Sequence, residues 1–165
     1  MITVRSTPRS RRVWVAALLC TAAALGCQAA TEPADESAGA MSVPEGWTRD
    51  VGALFDVPDS SAALSLPRRA RVGRPLTITV TTGGSGSCTR PSGASVEIDR
   101  LTATVVPLDA HPGSAIACSR DLRPYPRSVE LTFHQAGVAH VVVTGVRLGA
   151  PGGMISVARS IVVLP

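Results

Sequence analysis

The chain has 165 residues, a length typical of one folded domain, and a formal net charge of +4. Four arginines before residue 13 account for that excess, so the net charge becomes zero if they are removed. The remaining sequence gives no reason to expect a nucleic-acid partner, because that function requires a basic patch or stripe on the folded domain. Aromatic residues make up only 3% of the chain, which leaves few rings for stacking against sugars and argues against a carbohydrate-active enzyme.

Residues 1–26 have the pattern of a cleaved signal peptide. A basic stretch ending at Arg12 is followed by an uncharged run, rich in alanine and leucine, from Val13 to Leu25. This order of segments is typical of an export signal. The run is shorter than the roughly 20 residues of a membrane-spanning helix, and it lacks the polar face of a packed surface helix. The paired arginines before Val13 leave both general and twin-arginine export open.

The end of this segment, Ala24–Cys27, resembles the lipobox of bacterial lipoproteins. In that family a small residue precedes a cysteine that is lipidated and becomes the new N-terminus. Leucine usually stands three places before the cysteine and a small residue two places before it, where this chain has alanine and leucine. The resemblance implies a lipid anchor at Cys27, with the membrane as partner, and it implies that Gln28 allows passage to the outer membrane. The alternative is ordinary cleavage at positions 29–30, which would release a periplasmic or secreted protein.

Residues 27–46 predict a disordered tether. The segment is acidic, contains many small residues and prolines, and has hardly any large apolar side chain. Such a segment cannot bury enough surface to offset its ordering entropy. The folded domain is expected to span residues 47–165. At its start, the apolar spacing from Trp47 to Phe55 fits either two helical turns or an irregular edge strand.

The remainder of the chain predicts β-structure. Apolar residues alternate with threonine in the clearest segment, Leu76–Thr81, and the glycine-rich stretch Gly83–Ser87 is expected to turn the chain. Further strands are predicted at 62–66, 96–106, 129–133, 138–146 and 155–164, with a long loop from Asp109 to Arg127. The apolar run 138–146 favours a strand covered on both faces. About seven strands without a convincing helix predict an all-β, antiparallel β-sandwich.

The sequence SVELTFHQAGVAHVVVTG, at Ser128–Gly145, resembles consecutive strands joined at a glycine corner in immunoglobulin-like domains of bacterial surface proteins. The resemblance implies an immunoglobulin-like sandwich. The chain departs from true immunoglobulins because no tryptophan lies between Cys88 and Cys118, and because Cys118 precedes the last three predicted strands. The inter-sheet disulfide of antibodies is therefore not implied.

The cysteines predict one structural disulfide. Cys20 lies inside the signal and Cys27 is the lipidation candidate, which leaves Cys88 and Cys118 to pair. A pair of this kind is expected to be bridged in an oxidising compartment. A catalytic dithiol would usually have the closer C-x-x-C spacing.

No motif indicates catalysis or cofactor binding. The sequence lacks a G-x-S-x-G elbow, an H-E-x-x-H pair and an aspartate-rich calcium loop. Nothing in the spacing brings a further ligand to His111, His134 or His140, although a zinc site needs three or four converging ligands. We therefore predict that the protein is not an enzyme and holds neither a metal nor a cofactor.

The disulfide-linked loops are the predicted binding surface. Cys88 is expected to bring Arg90 close to Arg120, Arg123 and Tyr125, residue types that are enriched at protein interfaces. The alternative is that these arginines only solvate long loops, with Asp121 as an ion-pair partner. The sequence thus predicts a non-enzymatic lipoprotein of the cell envelope, a binding or structural module with a possible envelope protein partner. The alternative is a secreted or periplasmic inhibitor or accessory protein that engages a protease or secreted partner through its loops.

Overall fold

The computed structural model describes residues 43–56, 62–113, 116–149 and 152–165. The predicted signal peptide, Cys27 and the tether up to residue 42 lie outside these residues. The described part is all-β, as the sequence predicted. Its strands are β1 (Trp47–Val51), β2 (Ala53–Leu54), β3 (Leu64–Ser65), β4 (Arg69–Arg71), β5 (Leu76–Ser85), β6 (Arg90–Asp99), β7 (Thr102–Pro112), β8 (Leu122–Leu131), β9 (Gly137–Arg147) and β10 (Met154–Leu164).

The strands form two sheets. The larger has seven strands in the order β1-β7-β9-β10-β4, with β2 also on β9 and β6 also on β7, and it curls into a half-barrel. The smaller has the order β3-β5-β8 and is antiparallel, as predicted. The larger sheet is mixed, because β2–β9, β4–β10 and β7–β9 are parallel pairs. Between β7 and β9 the chain passes through β8 in the other sheet, so it returns to the larger sheet in its original direction.

A shared apolar core lies between the sheets. The alternation predicted in β5 places Leu76, Ile78 and Val80 in this core, at most 6% exposed. Both sheets contribute further residues, among them Val105, Leu131, Phe133, Val141, Val143 and Ile161. Full burial of one such side chain contributes about 1.5–3 kcal/mol, so the core is the main source of the fold's stability.

The prediction of a turn at Gly83–Ser87 is wrong at its start, because β5 continues to Ser85. The glycines are needed for close packing rather than for a turn. A Cβ atom on Gly83 would lie 2.7 Å from Cζ of Phe55, and one on Gly84 would overlap the side chain of Thr89.

The single strand predicted for residues 96–106 covers parts of two strands, β6 and β7. The chain reverses at Arg100 and Leu101, where Arg100 adopts a left-handed φ of 52°.

The predicted loop from Asp109 to Arg127 is also too long. β7 continues to Pro112 and β8 begins at Leu122, which leaves nine connecting residues. Pro124 and Pro126 suggested a loop but lie within β8. A proline cannot donate to a strand ladder, and it is tolerated here because β8 is an edge strand.

Two other expectations are resolved by the strand arrangement. The segment from Trp47 to Phe55, which fitted a helix or an edge strand, forms β1 and β2. The run 138–146 is not covered on both faces, since Val138 is 55% exposed while Ala139, Val141 and Val143 are buried.

Candidate functional site

The β5–β6 turn and the β7–β8 connection meet at one end of the two sheets, which we call the disulfide end. Cys88 and Cys118 are bonded there as predicted, with an S–S distance of 2.09 Å and a Cα–Cα distance of 5.5 Å. Cys88 is buried and Cys118 is exposed. The bond therefore fastens an exposed connection to a buried residue at the edge of the core.

Serine side chains reinforce this junction. Ser119 donates its N–H to Oγ of Ser87 at 2.8 Å, and Ser87 donates its N–H to Oγ of Ser119 at 3.2 Å. The hydroxyl of Ser85 donates to the carbonyl oxygen of Ser119 at 2.9 Å. Because these bonds join the residues before Cys88 to the residue after Cys118, they fix the backbone beside the disulfide as well as the cysteines.

Asp121 is the acidic centre of the disulfide end. Its carboxylate accepts hydrogen bonds from the hydroxyl of Ser119, from Nε of Arg123 at 2.7 Å and from the N–H of Gly86 at 3.2 Å. These contacts, with the Ser119 hydroxyl as the largest cause, lower the pKa of Asp121 from 3.8 to about 2. The carboxylate is therefore charged throughout the neutral range and holds both segments together.

The predicted binding residues have different environments. Arg120 is exposed, and the side chain of Arg123 remains 68% exposed despite its ion pair with Asp121. The guanidinium of Arg90 lies over the ring of Trp47, 5.0 Å from the centroid, which is a cation–π distance. Tyr125 is half-buried and donates its hydroxyl to the carbonyl oxygen of Ser85 at 2.7 Å, so its polar group is used within the fold.

Two exposed aliphatic residues accompany the arginines and were missed by the sequence interpretation. Ile116 is 56% exposed and Leu122 is 57% exposed, at opposite ends of the segment that contains Cys118 and Arg120. Their positions inside the predicted long loop give no periodic signal. The disulfide end thus combines cationic and apolar groups on one fastened segment.

The N-terminal part of the described chain arrives at the same end. The N–H of Gly113, which follows β7, donates to the carbonyl oxygen of Gly46 at 3.2 Å. The N–H of Trp47 donates to the carbonyl oxygen of Pro44 at 3.1 Å. Residues 43–46, which the sequence assigned to the tether, therefore form a turn beside the β7–β8 connection.

A buried ion pair that the sequence did not reveal lies behind this surface. Asp109 of β7 and Arg127 of β8 pair between the sheets, with side chains 1% and 8% exposed. Both residues were assigned to loop ends, where charge is ordinarily solvated. No local pattern distinguishes them from exposed residues.

Other chemistry is limited in the described ranges. No group of three His, Cys, Asp or Glu side chains within them could hold a metal ion. Nδ1 of His111 lies 3.1 Å from the carbonyl oxygen of Cys88, and Nδ1 of His140 lies 3.1 Å from the hydroxyl of Ser160. A search of the same residues for a helix that is long and apolar enough to cross a membrane found none.

Comparison of the chain with protein-family models, curated proteins and solved structures gave no match. The fold and the site therefore define the class only as an all-β protein with two sheets and a disulfide-fastened end.

Proposed function

We propose that this protein is a non-enzymatic, lipid-anchored module of the bacterial cell envelope, with an immunoglobulin-like sandwich, that binds a partner protein through its disulfide end. The observation that carries the proposal is the fastened segment around Cys118. It exposes Arg120, Arg123, Ile116 and Leu122 while the disulfide and the serine bonds hold its backbone.

A fastened loop suits binding because little conformational entropy remains to be lost when a partner docks. Arginine is one of the residues that dominate interface energies, and Ile116 and Leu122 add exposed apolar surface to the same segment. Asp121 already pairs with Arg123, so a partner carboxylate would share that arginine or bind Arg120. The favoured partner surface is therefore acidic with an apolar centre.

The position of the proposed anchor favours a partner near the membrane. Cys27 precedes Trp47 by 20 residues, a length that reaches at most about 70 Å when fully extended. Because the N–H of Gly113 donates to the carbonyl oxygen of Gly46, the first described residues lie at the same end of the domain as the exposed arginines.

The immunoglobulin-like assignment is supported by one feature of the connectivity. The segment SVELTFHQAGVAHVVVTG crosses from β8 in the smaller sheet to β9 in the larger one, with Gly137 at a φ of 145° where β9 begins. Consecutive strands in opposite sheets are a property of Greek-key sandwiches.

The test is crosslinking in intact cells that express the tagged protein. We expect a specific envelope protein to be recovered with wild type and lost with the double variant Arg120→Ala/Arg123→Ala. Arg74→Ala is the matched control, because Arg74 is also exposed but precedes the start of β5, at the end away from Ser85. Equal recovery with the double variant would exclude the disulfide end as the binding surface.

The anchor is tested separately by the intact mass of protein extracted from membranes. Acyl chains on Cys27, absent from Cys27→Ala, would support the lipoprotein assignment, and an unmodified mass would contradict it. Recovery of the same partner by a released Cys27→Ala protein would favour the inhibitor or accessory alternative.

A further inference from the structure

A groove lies between the edge strands of the two sheets, well away from the disulfide. Among the described strands, β8 pairs only with β5 and β6 pairs only with β7. The two edges touch where Nη1 of Arg127 donates to the carbonyl oxygen of Gly93 at 3.0 Å. Farther along both strands they enclose a cavity of about 770 Å³, lined by Pro75, Val96, Ile98, Arg100, Glu130, Thr132, His134 and Gln135.

The β8 edge beside this groove has backbone groups that can accept another strand. The N–H of Thr81 donates away from β8, to the carbonyl oxygen of Ala63 at 2.9 Å. Thr81 is opposite Pro126, so the backbone polar groups of Pro126 point to the open side of β8. The same direction recurs at every second residue, which includes Ser128 and Glu130.

Prolines limit where a strand can be added. Pro124 and Pro126 have no N–H to offer on the open side, which protects that half of the edge from pairing. Ser128 and Glu130 each offer an N–H and a carbonyl oxygen, and Glu130 is also part of the groove lining. The free part of the edge thus meets the groove at Glu130.

The groove also has a distinct chemistry. Val96 and Ile98 are half-buried and, with Pro75, give it an apolar wall. Glu130 on the opposite wall is exposed and has no ion pair within the described residues. Arg100, in the hairpin turn between β6 and β7, also lines the groove but forms no ion pair with Glu130, so the carboxylate of Glu130 remains available to a cation.

We propose that this groove binds an extended peptide segment of a partner protein, which adds as a strand to β8 at Ser128 and Glu130. The segment places an apolar side chain against Val96 and Ile98 and a lysine or arginine beside Glu130. Main-chain hydrogen bonds supply affinity in this mode of recognition, and the alternate side chains supply specificity. The site is separate from the arginines of the disulfide end.

The test selects peptides from a phage-displayed library of ten-residue sequences with the full chain as bait. We expect alternating apolar residues with a lysine or arginine at a constant offset. One selected peptide is then synthesised, and its affinity is measured by fluorescence anisotropy. Ser128→Pro is expected to weaken binding about tenfold, since it removes one inter-strand hydrogen bond. Ser128→Ala keeps the N–H and is expected to bind within about twofold of wild type.

Glu130→Lys is a second variant that leaves the backbone unchanged. Selection on this variant is expected to replace the basic residue by Asp or Glu. Thermal unfolding of every variant checks that the fold is retained. Equal peptide binding by Ser128→Pro and wild type, an unchanged selection on Glu130→Lys, or no enrichment above background would overturn the proposal. It would also be overturned if sedimentation showed a dimer that Ser128→Pro abolishes, because the occupant would then be a second copy of this chain.

Discussion

Arg127 on β8 and Asp109 on β7 form a buried ion pair that connects the two sheets. Nη2 of Arg127 donates to Oδ1 of Asp109 and to the hydroxyl of Thr82, while Nη1 donates to the carbonyl oxygens of Leu108 and Gly93. Within the described residues, Nε of Arg127 and Oδ2 of Asp109 have no hydrogen-bond partner. The pair therefore orients the sheets, but its desolvation is only partly offset by its own bonds.

Removal of one partner is expected to be strongly destabilising. Asp109→Ala leaves the Arg127 charge buried without its counterion, so the free energy of unfolding should fall by about 3–5 kcal/mol. Urea denaturation measures the change. Asp56→Ala is the control, because its ion pair with Arg147 is exposed and should contribute less than about 1 kcal/mol.

The double variant Asp109→Leu/Arg127→Met tests whether stability at this position requires the two charges or only side chains that fill the space. Both charges are removed together, so no buried ion is left unpaired, and we expect a smaller loss of stability than in Asp109→Ala. If the double variant were less stable than the single one, the hydrogen bonds to Gly93 and Leu108 would be the dominant contribution.

The same region shows how far the sequence could be interpreted. Period-two alternation in β5 predicts its buried face, because local pattern and burial agree there. Asp109 and Arg127 could not be assigned, since no local rule favours a buried charge and their contact depends on how two sheets meet. Gly83 and Gly84 were misassigned for a related reason. Glycine indicates both turns and close packing, and only the neighbouring Phe55 and Thr89 side chains decide between them.

In the candidate site, the disulfide was the feature that the sequence could predict. Counting cysteines identified the Cys88–Cys118 pair, because few alternatives remained. The role of Tyr125 could not be predicted. Its hydroxyl donates to the carbonyl oxygen of Ser85 on β5, and the register between β5 and β8 brings these two groups together.

Loss of the disulfide is expected to lower stability without unfolding the core. The bond closes a loop of 30 residues, for which chain entropy predicts about 3–4 kcal/mol. The double variant Cys88→Ala/Cys118→Ala should show this decrease in urea denaturation, and wild type in a reducing agent should show a similar one. A variant as stable as the oxidised protein would mean that the serine bonds alone fix this end.

Gly145 is expected to tolerate no side chain. A Cβ atom there would lie 2.6 Å from the carbonyl oxygen of Gly52 and 2.7 Å from Cγ of Leu54, so Gly145→Ala would push β2 away from β9. Overpacking of this kind costs about 1–3 kcal/mol. Gly113→Ala is the matched control, because its nearest neighbour would lie at 3.7 Å, an ordinary contact distance. Equal stability of the two variants would show that β2 shifts freely.

Asp121 should make the disulfide end sensitive to acid. Its pKa is lowered from 3.8 to about 2, so the folded state holds this carboxylate in its charged form more strongly than the unfolded state does. The stabilisation is complete above about pH 4 and is lost as the pH falls through about 2. A titration of the carboxyl carbon by NMR between about pH 1.5 and 6 measures the midpoint.

Ser119→Ala should raise the pKa of Asp121 towards its ordinary value, because the Ser119 hydroxyl is the largest cause of the shift. Arg123→Ala should raise it as well, through loss of the next largest contribution. Ser95→Ala is the control, since Ser95 is an exposed residue of β6 opposite Val106 and should leave the midpoint unchanged. A wild-type midpoint near 3.8, or a Ser119→Ala midpoint that stays near 2, would contradict the hydrogen-bonded geometry of Asp121.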